Sequence, residues 1–248
     1  MSAVTSCTPT NPVGDGDGRR LPARVLSTRA KILVMRQPSP GEVESRLRDS
    51  YALDHLWGET MGLPGGNSKE ASLRLVTRLL ETAAVPYALI GGVAMQLHSQ
   101  EPRSAREIVL AIRTYADVPI ETLTSAGFEH TGRLPHGDTW LAPGTGSREE
   151  RTVLQFLAEE DSLVGAVERA CVIDVDGMRL RLVAAPDLVA LKLANAESPR
   201  RRRSERRQDL ADILTLIEEH PDIDSTAPWL AERLERIRVD TSNLDFDR

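Results

Sequence analysis

Gly91-Gly92 follows the short apolar run Tyr87-Ala88-Leu89-Ile90 and precedes the helix-forming stretch Val93–His98. A strand that ends in two glycines and opens a helix turns backbone N–H groups toward an anion; glycine lets a phosphate approach and the helix dipole favours it. The same pair also suits a plain tight turn between strand and helix, and the two readings stand side by side. Lys192 is one of only three lysines, with Lys31 and Lys69, in a chain dominated by arginine. It falls beside Leu188, Leu191 and Asn195 on a helical stretch, where its compact charge could meet a phosphate or snorkel at the edge of a core. Asp209 and Asp212 are three residues apart and so share one helix face, as ordinary helix salt-bridge acids or as site acids. Pro199–Gln208, PRRRRSERRQ, is a dense basic run without interleaved aromatics. It fits a triphosphate, the backbone of an RNA, or a solvated surface, but not base stacking.

Other candidates have local explanations. Asp174 and Asp176 form an Asp-x-Asp, but Asp176-Gly177 lies between two alternating apolar runs, the mark of a hairpin turn. Glu159, Glu160 and Asp161 end an apolar stretch and read as a solvated terminus. The five histidines, His55, His98, His130, His136 and His220, show no metal-ligand spacing; His98 reads as structural. Cys7 and Cys171 form neither a disulfide framework nor a zinc cluster. No Walker loop, Rossmann fingerprint or Gly-x-Ser-x-Gly occurs.

The elements that must position these groups are set by periodicity and punctuation. Residues 1–20 are rich in Pro, Gly, Ser, Thr and Asp and read as disordered. Gly41–Leu56 suits a short helix after Pro38-Ser39-Pro40, and Met61–Asn67 a loop. A helix capped by Asn67 or Ser68 shows an apolar face of Leu73, Leu75, Val76, Leu79 and Leu80 and stops at Pro86. Strands are expected at Tyr87–Ile90, Ile108–Ile112 and Thr152–Leu157. Hairpins are expected from Phe128–Leu134 with Thr139–Leu141, and from Cys171–Val175 with Met178–Val183. Short helices fit Val118–Ala126 and Val164–Arg169. Helices fit Pro186–Ala196, Arg203–Glu219 and Pro228–Val239, and the tail from Ser242 is polar.

The fold class is therefore α+β: a mixed sheet flanked by helices, with a C-terminal helical part. The division reads as a disordered or loosely structured extension over 1–66, an α/β core over 67–183 and a helical region over 184–248 packing on it. With Lys+Arg 31 and Asp+Glu 37, the net charge is 31 − 37 = −6, which argues against a protein that coats DNA. Apolar runs such as Val85–Ile90 fall far short of the roughly 20 residues that span a bilayer. The first thirty residues show no secretory h-region. With two scattered cysteines, a reducing cytoplasm is the expected setting. At 4% aromatic, the core must come from Leu, Ile, Val and Ala.

Read as one stretch, Tyr87–Ile112 is YALIGGVAMQLHSQEPRSAREIVLAI. This resembles the nucleotidyltransferase superfamily, in particular its AbiEii/AbiGii toxin-like bacterial branch. Members have a strand, a Gly-Gly or Gly-Ser turn, a helix, and an Arg-x-Thr-x-Asp-x-Asp strand. The matching residues are Gly91, Gly92, Arg103, Ala105, Glu107 and Val109. Ala185–Leu193 resembles the helix that carries a Lys, here Lys192. Arg206–Ile213 resembles the later helix with Asp-x-x-Asp, here Asp209 and Asp212. The resemblance covers roughly Ser68 to Leu216.

It implies a nucleotidyltransferase-like sheet and transfer of a nucleotide from an NTP to an RNA, protein or small-molecule acceptor. In that chemistry two Mg²⁺ ions clamp the attacking and leaving oxygens. Asp-x-Asp on a strand aims both carboxylates at the metals, because strand side chains alternate. By resemblance Gly91 and Gly92 hold phosphates, Arg103 and Lys192 neutralise them, Glu107 holds Mg²⁺, and Asp209 orients a group or acts as base. The motif is degenerate here. Glu107 replaces the first Asp, Val109 the second, Gln155 stands at the third acid, and Ala105 replaces Thr. A second expectation arises from those departures: a non-catalytic descendant that binds a nucleotide or a partner protein in a toxin–antitoxin or phage-defence setting.

Overall fold

The computed structural model describes residues 37–60, 69–100, 105, 107–134, 137–148, 150–223, 230 and 232–233. Helix α1 spans Pro40–Thr60 and α2 spans Lys69–Thr82. Strand β1, Tyr87–Ile90, runs directly into α3, Gly91–His98. Then come β2, Glu107–Ile112; α4, Ile120–Ser125; β3, Glu129–Leu134; β4, Gly137–Leu141; and β5, Val153–Ala158. Helix α5, Ala166–Arg169, precedes the hairpin β6, Cys171–Val175, and β7, Met178–Leu182. Helices α6, Ala185–Glu197, and α7, Arg203–Glu219, come next.

The seven strands form one mixed sheet in the order β3-β4-β5-β2-β1-β7-β6. β1 lies antiparallel to β2 and parallel to β7, and β2 lies parallel to β5. The Asp176-Gly177 hairpin forms as expected. Both residues have positive φ, 46° and 70°, as a turn matched to strand twist requires. Tyr87, Phe128, Trp140 and Phe156 are the aromatics of a core otherwise made mainly of Leu, Ile, Val and Ala, with Met95, Met178 and Cys171. α6 and α7 pack on each other and on α3, so the C-terminal helices close over the helix that the glycine turn opens.

Three elements differ from expectation. The short helix expected over Gly41–Leu56 forms but runs longer, Pro40–Thr60, and its Val43 and Leu47 are buried in the core. A capping box starts it: Ser39 N donates to Glu42 Oε2 at 2.8 Å, and Glu42 N donates to Ser39 Oγ at 3.3 Å. The expected helix Val118–Ala126 is trimmed to Ile120–Ser125, after a 3₁₀ turn at Tyr115–Asp117. Glu159 is not merely a solvated terminus, because its Oε1 accepts the backbone N–H of Val167 at 2.6 Å. The expected tail over 1–20, the loop Met61–Asn67, Cys7 and Arg103 lie outside the described residues. So does most of Pro228–Val239, of which Leu230, Glu232 and Arg233 are helical.

Candidate functional site

β1 and β2 cross the sheet centre in opposite directions, so the end of β1 meets the start of β2. Ile90 is opposite Val109, and Gly91 comes next, at the first position of α3, with φ +70°. β2 and β5 run in register, with Glu107 beside Val153 and Val109 beside Gln155. One end of the sheet thus gathers the glycine turn, Glu107, Val109 and Gln155, on three adjacent strands. Glu107, Val109 and Gln155 share one face, because side chains alternate along each strand.

The detail of that end is set by packing. A Cβ on Gly91 would stand 3.1 Å from Val109 Cγ2, and one on Gly92 would stand 2.9 Å from Ala105 Cβ. Both glycines are therefore required by their neighbours, whatever else they admit. The N-cap residue of α3 is Ile90, whose side chain makes no capping hydrogen bond. Glu107 is exposed and makes no hydrogen bond or ion pair with the described residues. The Gln155 amide lies so close over Gly137 that a Cβ there would collide with it.

Ala105 connects this end to a buried cluster that sequence reading missed. Lys69, 4% exposed, donates from Nζ to the Ala105 carbonyl at 3.1 Å and to Ser50 Oγ at 2.9 Å, and pairs with Asp54 Oδ2 at 2.5 Å. Burial lowers the Lys69 pKa, and the Asp54 hydrogen bond and charge oppose that shift. The only sequence signal was the scarcity of lysine.

Lys192 and Asp209 meet, and the contact is closed. Lys192 Nζ lies 2.9 Å from Asp209 Oδ1 and 2.7 Å from Asp212 Oδ2. Arg201 Nε stands 3.2 Å from Asp209 Oδ2, and Gln208 Nε2 donates to Asp212 Oδ1 at 2.9 Å. The two carboxylates are 2% and 4% exposed and the lysine 12%. This network ties α6 to α7. Neither Lys192 nor Asp209 bonds to Glu107 or to the glycine turn among the described residues. The ammonium is held by two carboxylates rather than offered to an open cleft.

The remaining candidates fall as their local readings suggest. Asp174 pairs with Arg179 at 3.2 Å on the surface, and Asp176 pairs with Arg74. In the basic run, Arg206 Nε donates to the Ala196 carbonyl at 2.6 Å, while Arg202, Arg203 and Arg207 are exposed. His98 is structural: it is fully buried, lies 2.7 Å from the Val183 carbonyl through Nε2, and stacks edge-on to His220 at 5.3 Å. Burial, then the neighbouring His220, pushes its pKa down to about 3.

Whether these residues suit the implied metal pair can be read from the donors. Two Mg²⁺ ions call for several hard oxygen ligands. The described sheet end offers one carboxylate, Glu107, an amide, and the methyls of Val109. No cluster of three His, Cys, Asp or Glu that could hold a metal occurs among the described residues. The residues do not fit a two-metal clamp. No helix among the described residues is long and apolar enough to cross a membrane.

The site therefore belongs to a mixed-sheet α+β protein whose glycine turn opens a helix at one end of the central strands. Neither a family model nor a curated protein matches the chain. Among solved structures it is similar to an antigenic nucleotidyltransferase-like protein from Paracoccidioides brasiliensis, at 16% identity and TM-score 0.45, covering 67% of this chain and 88% of that one. It is also similar to the lincosamide antibiotic adenylyltransferase LnuA, at 14% identity and TM-score 0.41, covering 60% and 98%. A putative nucleotidyltransferase from H. pylori matches at 16% identity and TM-score 0.42, covering 72% and 82%.

Proposed function

We propose that this is a nucleotidyltransferase-fold protein that binds a nucleoside triphosphate at the sheet end formed by Gly91, Gly92 and Glu107. The observation that carries the reading is the placement of a helix N-terminus whose N-cap residue is Ile90 beside an exposed Glu107, unpartnered among the described residues, at the meeting point of β1 and β2. Backbone N–H groups there suit phosphate oxygens. The resemblance adds Arg103 as a phosphate partner. It also adds transfer to an RNA, protein or small-molecule acceptor as the activity.

A second reading is a non-catalytic member that binds a nucleotide or partner protein, as in a toxin–antitoxin or phage-defence pair. Val109 and Gln155 favour it, since they stand side by side where carboxylates would be needed. Lys192 and Asp209 favour it too, because their charges are spent on each other. Binding is therefore the better supported half of the proposal.

Titration calorimetry with ATP, GTP, CTP and UTP, with Mg²⁺ and with EDTA, tests it. Glu107→Ala is the matched variant, since an exposed and unpartnered side chain can be removed without disturbing the fold. Mg²⁺-dependent binding that Glu107→Ala abolishes supports the enzyme and calls for transfer assays with an α-phosphate label. Binding indifferent to both Mg²⁺ and the variant supports the non-catalytic module. No binding of any NTP overturns the proposal.

A further inference from the structure

A concavity that the glycine turn does not line is formed by other elements. It has a volume of about 520 Å³ and is bordered by the Asp161–Leu163 turn, α5, one face of α6 and Arg233. Small-molecule sites run from roughly 300 to 1,000 Å³. None of Gly91, Gly92, Glu107 or Lys192 lines it, so its chemistry stands apart from the nucleotide reading.

Two guanidinium groups reach this cavity, and each is pinned through the same edge. Arg169 donates from Nε to Asp187 Oδ2 at 3.0 Å and from Nη2 to Asp187 Oδ1 at 2.7 Å, and Nη2 also reaches the Val164 carbonyl at 2.8 Å. Asp187, in the first turn of α6, is only 3% exposed. Arg233 donates from Nε to Glu197 Oε1 at 3.3 Å and from Nη2 to Glu197 Oε2. In both arginines Nη1 is left without a partner among the described residues. The Arg169 Nη1 lies over Gly165, where φ is +75° and a Cβ would collide with it. That glycine leaves room for the free end of the fork.

The balance of hydrogen-bonding groups then specifies an occupant. The carboxylates of Asp187 and Glu197 already accept from the arginines. What remains among the described residues is a pair of Nη1 groups, with two N–H donors each, and the hydroxyls of Ser162 and Ser198. An occupant must therefore bring acceptor oxygens. A planar guanidinium held by a carboxylate on one edge presents its other edge in fixed orientation, which suits contact to an oxyanion. The cavity exceeds a bare ion, and the serines suit hydroxyl groups on the same molecule. We infer that this cavity binds a small molecule bearing a carboxylate or phosphate group, held by the Nη1 ends of Arg169 and Arg233.

Titration of the full chain with inorganic phosphate and, separately, malonate tests this and separates the two oxyanion sources. Arg233→Gln is the diagnostic variant. Arg169→Gln would leave the buried Asp187 without its partner and confound binding with unfolding. Saturable binding of either probe is expected, weakened about tenfold or more in Arg233→Gln, as loss of a charge-assisted hydrogen bond implies. Ser198→Ala should weaken it less. Arg203→Gln/Arg207→Gln should leave it unchanged, which sets the cavity apart from the exposed basic run. Phosphate alone saturating identifies a phosphate ester as the class, and malonate alone a carboxylate. No saturable binding of either probe, or equal affinity in wild type and Arg233→Gln, overturns the inference.

Discussion

Lys192→Met separates a structural lysine from a phosphate-binding one. The substitution keeps the length of the side chain and removes its charge. Asp209 and Asp212, with carboxylates 2% and 4% exposed, would then remain in the α6–α7 interface without their shared cation. Arg201 would still face Asp209 at 3.2 Å and Gln208 would still donate to Asp212 at 2.9 Å, so Asp209 keeps a cation while Asp212 keeps a neutral donor and bears the larger loss. Removing one partner of a buried ion pair costs about 3–5 kcal/mol, largely for the charge left uncompensated. Against a total stability of about 5–15 kcal/mol, that is a large fraction. Urea unfolding followed by circular dichroism should show the midpoint falling with little change in slope. Lys192→Met/Asp212→Leu should recover much of the loss, because the stranded carboxylate is gone and an apolar pair fills its place. A loss below about 1 kcal/mol, the range of exposed pairs, together with abolished NTP binding, would refute the reasoning. It would return Lys192 to the phosphate role that the resemblance implies.

Four further outcomes are expected. Lys69→Met should cost about 1–3 kcal/mol in the same urea assay, because the Ser50 hydroxyl and the Ala105 carbonyl lose a buried donor and the part-exposed Asp54 loses its cation. Glu107→Ala should shift stability by no more than about 0.5 kcal/mol, since the side chain is exposed and unpartnered; a larger loss in thermal unfolding would place it in the fold's support. Gly92→Ala should destabilise by about 1–3 kcal/mol through collision with Ala105, and Gly92→Ala/Ala105→Gly should relieve it. His98, with its pKa pushed down to about 3 from an ordinary 6.5, stays neutral in the fold while the unfolded chain takes up the proton. Stability should therefore fall as pH drops below about 6.5, by up to about 1.4 kcal/mol per unit, and His98→Gln should flatten that dependence in urea titrations at successive pH values.

The features legible in the sequence are those with short-range causes. Asp176-Gly177 announces a hairpin because both positions need positive φ, and Tyr87–Gly92 announces strand, turn and helix within six residues. The Ser39–Glu42 capping box was equally local, yet the prolines around Ser39 and the weak apolar stripe of 40–60 obscured it. Pairings across long separations left no local trace. Lys69 meets Asp54 and the Ala105 carbonyl only because α1, α2 and the approach to β2 converge. Arg169 meets Asp187, and Arg233 meets Glu197, only once α6 lies against α5 and the helical segment at Arg233. No local pattern pairs Asp209 with Lys192, seventeen positions apart in the chain. That both charges would be consumed by the contact emerged only from its geometry.

The glycine turn shows how one local pattern can carry two causes. Gly91 stands where a Cβ would press on Val109, and Gly92 where one would strike Ala105. Each neighbour is also a departure from the motif that the chain resembles. A valine in place of the second acid brings methyl groups against Gly91, and an alanine in place of threonine brings its Cβ against Gly92. Steric need alone would therefore keep both glycines in a chain that bound no phosphate. Substituting them measures packing first and any ligand second. The discriminating position is Glu107, which no described residue engages, on the same face as Val109 and Gln155 and beside a helix end whose N-cap residue is Ile90. Lys192 is the opposite case, because its charge is already spoken for by two buried carboxylates. The third N–H of its ammonium is the donor left over, so a ligand that engaged it would bridge the α6–α7 contact or displace a carboxylate, and protection of that interface would rise or fall as it bound. NTP binding that left hydrogen-exchange protection of the α6–α7 interface unchanged would then assign the nucleotide to the Glu107 end of the sheet.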